Sequence, residues 1–175
     1  MAKESSVGLK KIEIAAVPAS GLPTVWTELK AVKIGSAVLS ESEDSTTNIK
    51  IEQKPKSTYR KVTTEYGEST IAVEVYDVTA ANLLLLKGGN VTAAVPGTSG
   101  AKWNKGSEAV EIEKAVKLTT FDDFVIIMPQ AHVSALINWP LTVGELGSVA
   151  ITFTALQPDD TTLAELIIQE PTPAA

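Results

Sequence analysis

The sequence contains no cysteine and a single histidine, His132. The absence of cysteine excludes disulfides, zinc–thiolate sites and cysteine nucleophiles. A single histidine excludes metal sites built from several imidazoles and most histidine-based catalysis. Because extracellular domains of this size often depend on disulfides, a cytoplasmic origin is expected.

Long apolar runs, aromatic residues and positive charge are also scarce. The longest apolar run, "NLLLLK", is far too short to span a bilayer, and "MAKESSVGLKK" lacks the apolar segment of a secretory signal. Aromatic residues make up 5% of the chain, so its core must be aliphatic. The net charge of −6 opposes binding to a phosphate backbone. Neither a membrane protein nor a nucleic-acid-binding protein is therefore expected.

The chain does contain many segments in which apolar and polar residues alternate, the period of a half-buried strand. The firmest are "KKIEIAAV", "TIAVEVYDV", "AVEIEKAVKLTT", "AHVSALINW" and "SVAITFTALQP", while "FVIIMP" is a continuous apolar run that indicates a buried strand. Turn residues separate them at regular intervals. We predict a single domain, residues 1–175, with eight or nine strands and one short helix. Its predicted class is mainly β, an antiparallel β-sandwich or barrel with the helix packed on its side.

Several of these segments carry specific expectations. In "TIAVEVYDV", Ile71, Val73 and Val75 should face the core. Pro129 should end the buried strand "FVIIMP" before "AHVSALINW" begins. "VWTELKAVKIGSAVLS" predicts a strand pair or one bent strand, "ESEDSTTN" an exposed loop, and "VPGTSGAKWNKGSE" a loop around Trp103.

The helix is predicted in "DVTAANLLLLKGG". Asp77 or Thr79 can cap its first turn by accepting a hydrogen bond from a free backbone N–H. Gly88 or Gly89 can end it in the left-handed conformation that glycine tolerates. At about two turns this helix cannot be stable alone, so it must pack against a sheet.

A polar segment predicts a hairpin arm at about residues 52–69, because Pro55 and Gly67 interrupt a stretch with few core residues. The arm carries a basic cluster, and "SESED" carries an acidic one. Their members are Lys54, Lys56, Arg60 and Lys61, and Glu41, Glu43 and Asp44. Two interpretations stay open: a solvated arm, or an arm whose basic cluster docks on the acidic cluster of another copy.

The residues that could support catalysis or metal binding do not form a recognisable motif. No carboxylate is placed by the sequence to orient His132. The pairs Asp122–Asp123 and Asp159–Asp160 lack the spacing of a calcium loop and are typical of turns. The Gly-x-Ser-x-Gly nucleophile motif is absent. No catalytic residue, metal or cofactor is predicted.

The sequence resembles the tail tube, or major tail, proteins of long-tailed bacteriophages, a family related to the type VI secretion tube protein. The resemblance lies in the polar hairpin and in the phrases "EVYDVTAANLLLLKGG", "IIMPQAHVSALINWPLT" and "VGELGSVAITFTALQPDD". It implies homohexameric rings, joined by continuous sheets, that stack through a long loop into a tube for viral DNA.

The resemblance also implies partners and positions. The arm would supply ring-to-ring contacts, and the strand around Glu111 and Glu113 would line the lumen. Other partners would be tail proteins such as the tape measure and the tail terminator, while DNA would pass without specific binding. The protein would belong to the virion tail, assembled in the host cytoplasm.

Two other functions were weighed. An immunoglobulin-like binding or decoration module would use loop residues such as Trp103 and Tyr59 to hold a ligand. An enzyme is the least favoured, because no nucleophile–base pair is visible, although a carboxylate-only hydrolase would need neither cysteine nor histidine.

Overall fold

The computed structural model describes residues 6–108 and 110–172, and strands dominate it. The strands are β1 (Leu9–Ala15), β2 (Thr27–Glu28), β3 (Val38–Glu41), β4 (Ser45–Ile49), β5 (Arg60–Glu65), β6 (Ser69–Val75), β7 (Asn90–Thr92), β8 (Lys102–Asn104), β9 (Glu113–Thr120), β10 (Val125–Asn138), β11 (Ser148–Ala155) and β12 (Ile167–Gln169). One helix, α1 (Ala80–Lys87), follows β6. All strand pairs are antiparallel, which confirms the mainly-β antiparallel class.

An eight-stranded sheet forms the body of the domain. Its strand order is β2-β1-β9-β10-β11-β6-β3, and β12 pairs with the start of β10. Two small sheets, β4-β5 and β7-β8, stand outside it. The margins β2 and β3 are not paired with each other, so the sheet is not closed into a barrel.

The large sheet is nevertheless strongly rolled. The Leu29 N–H donates to the Ile12 carbonyl outside β1, and the Tyr76 N–H donates to the Ala31 carbonyl outside β6. In a flat sheet those two outer positions would be about 29 Å apart. Leu29 and Ala31 can span at most about 7 Å. The short segment between them therefore joins the two margins at one end of the domain.

The rolled sheet encloses an aliphatic core, as the scarcity of aromatic residues predicts. Ile71, Val73 and Val75 are buried, which confirms the inward face predicted for β6. Phe153 lies among them and is fully buried. The other members of the core are Ile12, Ile14, Leu29, Leu83, Leu86, Val116, Leu118, Met128, Ala131, Val133, Ala135, Val149 and Ile151.

Helix α1 begins and ends where the sequence predicts. The Thr79 hydroxyl accepts from the Asn82 N–H, so Thr79 is the N-cap. Gly88 ends the helix at a φ of 67°, and its N–H donates to the Leu84 carbonyl. The helix lies against β10, and Leu83 and Leu86 enter the core.

Three expectations about strand boundaries are wrong. The stretches "FVIIMP" and "AHVSALINW" are one strand, β10, whose pairing with β9 shifts register between Met128 and Ala131. Pro129 falls within that bulge, where an extra residue needs no partner and the missing N–H is tolerated. "ESEDSTTN" contains the start of β4, and the stretch around Trp103 forms the hairpin β7-β8. Both are held by cross-strand pairing, although their side chains are mostly exposed.

"VWTELKAVKIGSAVLS" forms neither a strand pair nor one bent strand. It contains only the two residues of β2 and the first three of β3, joined by the segment that connects the sheet margins. Within that segment Ala31 has a φ of 55° and Gly35 a φ of 75°. These left-handed residues turn the chain and interrupt a continuous strand.

A buried carboxylate connects β1 and β9 on the face away from the core. Glu13 Oε2 lies 2.8 Å from Lys117 Nζ and 3.1 Å from Lys11 Nζ. Lys117 Nζ also lies 4.6 Å from the centre of the Trp26 ring. Burial acts to raise the pKa of Glu13, but the two ammonium groups outweigh it and hold that pKa below its usual 4.5.

Acid should weaken this cluster. Because the pKa of Glu13 is lower in the folded chain, its contribution to stability is present above pH 4.5 and is lost as the pH falls through the folded-state pKa. Glu13→Gln should remove that part of the pH dependence, about 1 kcal/mol or less. Urea unfolding at neutral pH and near about pH 3 measures the difference. Glu65→Gln, at an exposed position on the arm, is the control, and an equal acid sensitivity in both variants would contradict the assignment.

Candidate functional site

The strands β4 and β5 form a hairpin arm that stands apart from the large sheet. It comprises residues 45–65 and not the predicted 52–69, because β4 pairs with β5 and Ser69 already belongs to β6. Its side chains are exposed, except that Ile51 and Val62 are half-buried. The base of the arm is fixed by hydrogen bonds: the Gly67 N–H donates to Asp44 Oδ1 at 2.8 Å, and the Ser42 N–H donates to the Glu68 carbonyl at 3.0 Å. A Cβ on Gly67 would lie 1.8 Å from the Ser42 carbonyl oxygen, so only glycine fits this crossing.

The structure places the two predicted charge clusters at opposite ends of the arm. Lys54 and Lys56 lie at its tip, and Arg60 and Lys61 begin β5. The acidic cluster lies at the base, about 17 Å away along β5. There Glu41 accepts from the Ser69 hydroxyl, Asp44 from Gly67, and Glu43 is exposed. The described residues include no ion pair between the clusters, so the basic cluster faces solvent.

A free strand edge lies on β10. Its pairing with β9 ends at His132 opposite Glu113, and the Val133 N–H then donates to the Ile112 carbonyl. Beyond that point residues 134–138 pair with β11 on one side only, within the part of the chain that is described. Since N–H and C=O groups alternate along a strand, those of Ala135 and Ile137 point to the side without a backbone partner, where the Ala135 carbonyl accepts from the Lys87 ammonium.

The face of the large sheet that points away from the core is polar, and its charged residues lie towards the margins, with the Glu13 cluster on β1 and β9 and Glu74 on β6. Its central members are Thr70, Ser134, Thr152 and Thr154, on neighbouring strands β6, β10 and β11. Of the two predicted lumen residues, Glu113 lies at the edge of this face and accepts from Gln130 Nε2 at 2.7 Å. Glu111 is exposed and precedes β9.

An apolar loop was missed by the sequence analysis. Residues 139–147, which we term the tip loop, join β10 to β11. Leu141, Val143 and Leu146 there are 93%, 108% and 67% exposed. Glu145 is the single charged residue of the loop. The signal was present in "NWPLTVGELG", where three large aliphatic residues stand among turn residues.

The family comparison decides the class of protein. The family model described as "Phage tail tube protein" matches residues 13–175, nearly the whole chain. The chain belongs to the phage tail tube protein family. This confirms the resemblance seen in the sequence. A comparison with curated proteins finds no match for this tail tube protein.

Membership of this family makes the protein a structural component of the bacteriophage tail. Tail tube proteins assemble with themselves and with other tail proteins. The family is structural rather than catalytic. The exposed edge, arm and loop of this tail tube protein are therefore candidate assembly surfaces.

Three of the aspartates weighed as calcium ligands have local partners in this tail tube protein. Asp122 accepts from the Val7 N–H, and Asp123 pairs with Lys10 at 2.8 Å. Hydrogen bonds from the Thr162 hydroxyl and the Gly21 N–H hold the pKa of Asp160 below its usual value. These contacts fit the turn roles predicted for the aspartate pairs.

Within the described ranges 6–108 and 110–172, no group of three or more potential metal-ligating side chains comes together. No helix there has the length and apolarity needed to cross a membrane.

Proposed function

We propose that six copies of this chain form a ring, and that the rings stack into a hollow tube that conducts viral DNA during ejection. The observation that carries the proposal is the free edge of β10. A bare strand edge exposes backbone donors and acceptors that a strand of another copy can pair. In a head-to-tail arrangement each copy offers one surface and receives another, and such contacts close into a ring.

The centre of the outer face, which carries hydroxyl side chains and no charge, supports a role as the wall of the lumen. Hydroxyl side chains such as Thr152 and Thr154 offer no cation to the phosphates of passing DNA. Glu111 and Glu113 would lie at the border of this wall and repel the phosphates. The net charge of −6 favours the same outcome. DNA would therefore pass without specific binding.

The arm supports stacking of one ring on the next. Its basic cluster cannot reach the acidic cluster of its own chain, since the two lie at opposite ends of the hairpin. The same cluster on another copy can receive it. Such contacts set orientation and register more than affinity. A tape measure inside the tube and a tail terminator at its end would be further partners, with assembly in the host cytoplasm.

Negative-stain electron microscopy of purified protein tests the proposal. The expected images are rings with sixfold symmetry and, at higher concentration, hollow tubes built from them. A monomer at every concentration, with no rings after seeding, would refute the proposed assembly. Rings of a different symmetry would refute the hexamer but would not contradict the proposed tube.

Charge reversal tests the arm. Lys56→Glu together with Arg60→Glu should shorten tubes several-fold at low salt, because the reversed charges would repel the acidic cluster of the next ring. The difference should shrink at high salt, where charges are screened. Tube length by electron microscopy across a salt series is the measurement. Lys102→Glu with Lys105→Glu, exposed and outside the arm, is the matched control. Tubes of normal length from the arm variant would show that the basic cluster of the arm does not contribute to ring stacking.

A further inference from the structure

The rolled sheet leaves an apolar groove between its margins, which we term the margin groove. One lobe of about 350 Å³ lies between the start of β1 and β3. Its apolar lining is Leu9, Ala37, Leu39, Ile71, Leu118 and Ile126. A second lobe of about 660 Å³ shares Gly8, Leu9 and Ala37 with the first, so the two are continuous. The segment between β2 and β3 lines the second lobe, and the first lobe lies between the margins where this segment does not join them.

The tip loop has the chemistry that this groove would accept. Its three exposed aliphatic side chains, Leu141, Val143 and Leu146, match an apolar lining in kind. Exposed apolar clusters of this sort usually mark a contact surface. Burial of each side chain would favour docking.

Charge complements the apolar match. The second lobe is lined by four lysines and one glutamate: Lys10, Lys11, Lys30, Lys33 and Glu28. Lys30 has no ion pair within the described residues. The tip loop brings one charge, the carboxylate of Glu145. Lys10, Lys11 and Lys33 already pair with carboxylates of their own chain. A loop whose apolar side chains fill the first lobe can place Glu145 near Lys30.

The tip loop and the apolar lobe lie at opposite ends of the same molecule. The lobe is lined by Ile126 and Thr120, near the turn between β9 and β10. The tip loop follows Asn138, at the far end of β10. Twelve residues of extended strand span roughly 40 Å. A chain therefore cannot fill this lobe with its own tip loop, and a second copy is the fitting occupant.

We propose that the tip loop of each copy docks in the margin groove of a second copy. The inference rests on the proposed tube and names the contact between successive rings. The arm leaves the domain after β3, at the same end as the apolar lobe, so a ring stacked head to tail brings the next tip loop to this end. The contact is heterologous and repeats along the tube.

Disulfide crosslinking between two single-cysteine variants tests the contact, since the chain has no cysteine of its own. Val143→Cys places a thiol on the tip loop, and Val38→Cys places one at the lip of the groove. Mixed and oxidised, the two should give a crosslinked dimer at least about tenfold more abundant than either gives alone. Val25→Cys, exposed but outside both surfaces, replaces Val38→Cys in the control.

The outcomes separate this inference from the proposed tube. Tubes in the microscope without the Val143–Val38 crosslink would overturn the docking and leave the tube intact. The crosslink without rings would support the docking and refute the hexameric tube. Equal crosslinking to Val25→Cys would overturn the docking. A crosslink within one chain carrying both cysteines, but not between chains, would also overturn it.

A second variant tests the same contact without a disulfide. Val143→Ser should raise the protein concentration needed for stacking roughly tenfold, because an apolar side chain leaves the groove. Val25→Ser removes another exposed valine, outside both surfaces, and should leave that concentration unchanged. Equal behaviour of the two variants would overturn the docking.

Discussion

Replacing Ile137 by proline is expected to abolish ring formation while the monomer stays folded. The Ile137 N–H points to the free edge of β10, so proline removes a donor that no described residue of the same chain uses. Ile137 lies opposite Val149 on β11, but the hydrogen bonds to β11 are made by its neighbours Leu136 and Asn138, whose N–H groups point to that side. Electron microscopy should show no rings where the unaltered chain forms them, with an unchanged circular dichroism spectrum.

The control for this variant is Ile137→Ala, which shortens the side chain and keeps the N–H. It should form rings, at a somewhat higher concentration, because part of an exposed apolar side chain is lost. Rings from Ile137→Pro would show that the free edge of β10 does not pair between copies. Loss of rings from both variants would assign the effect to the side chain instead.

Replacing Phe153 by alanine should lower the free energy of unfolding by about 3–5 kcal/mol. Phe153 is fully buried in β11 at the centre of a core otherwise built from aliphatic side chains. The strands around it are paired on both sides, so the core cannot collapse into the cavity left behind. Urea unfolding followed by circular dichroism measures the loss.

The neighbouring position supplies the control for that measurement. Thr152 lies next to Phe153 in β11, and its side chain points to the exposed face. Thr152→Ala should change the free energy of unfolding by about 0.5 kcal/mol or less. A loss below about 1 kcal/mol for Phe153→Ala would mean that the core repacks around the smaller residue.

The sequence predicted the elements in which buried and exposed residues alternate with the period of the secondary structure. In β6 every second residue enters the core, so Ile71, Val73 and Val75 could be placed inward from the pattern alone. Thr79 and Gly88 bounded the helix because capping depends on a few adjacent residues. Local rules of this kind need no knowledge of distant parts of the chain.

Elements that depend on distant partners could not be placed from the pattern. The strand β4 has five exposed residues and exists because β5 pairs with it. Pro129 does not end a strand, because β10 bulges there and carries one more residue than the β9 segment opposite it. The margin groove arises because the chain near Ala31 reaches both β1 and β6, a long-range closure that alternation does not encode.

The candidate surfaces divide in the same way. The basic cluster of the arm could be named from composition, because clustered lysine and arginine residues are visible in one short stretch. Its separation from the acidic cluster could be recognised only from the length of the hairpin in the structure. The free edge of β10 could be recognised only from the strand order, and the tip loop only from the exposure of its aliphatic side chains.

The glycine crossing at the base of the arm has a consequence for assembly. Gly67 packs against the Ser42 carbonyl, and the Asp44 carboxylate holds the Gly67 N–H, so the direction in which the hairpin leaves the domain is set within each free monomer. A neighbour that meets a pre-oriented arm loses less conformational entropy on binding than one that must order a flexible segment. The angle between successive layers of a filament would then be encoded by a residue that touches no neighbour at all.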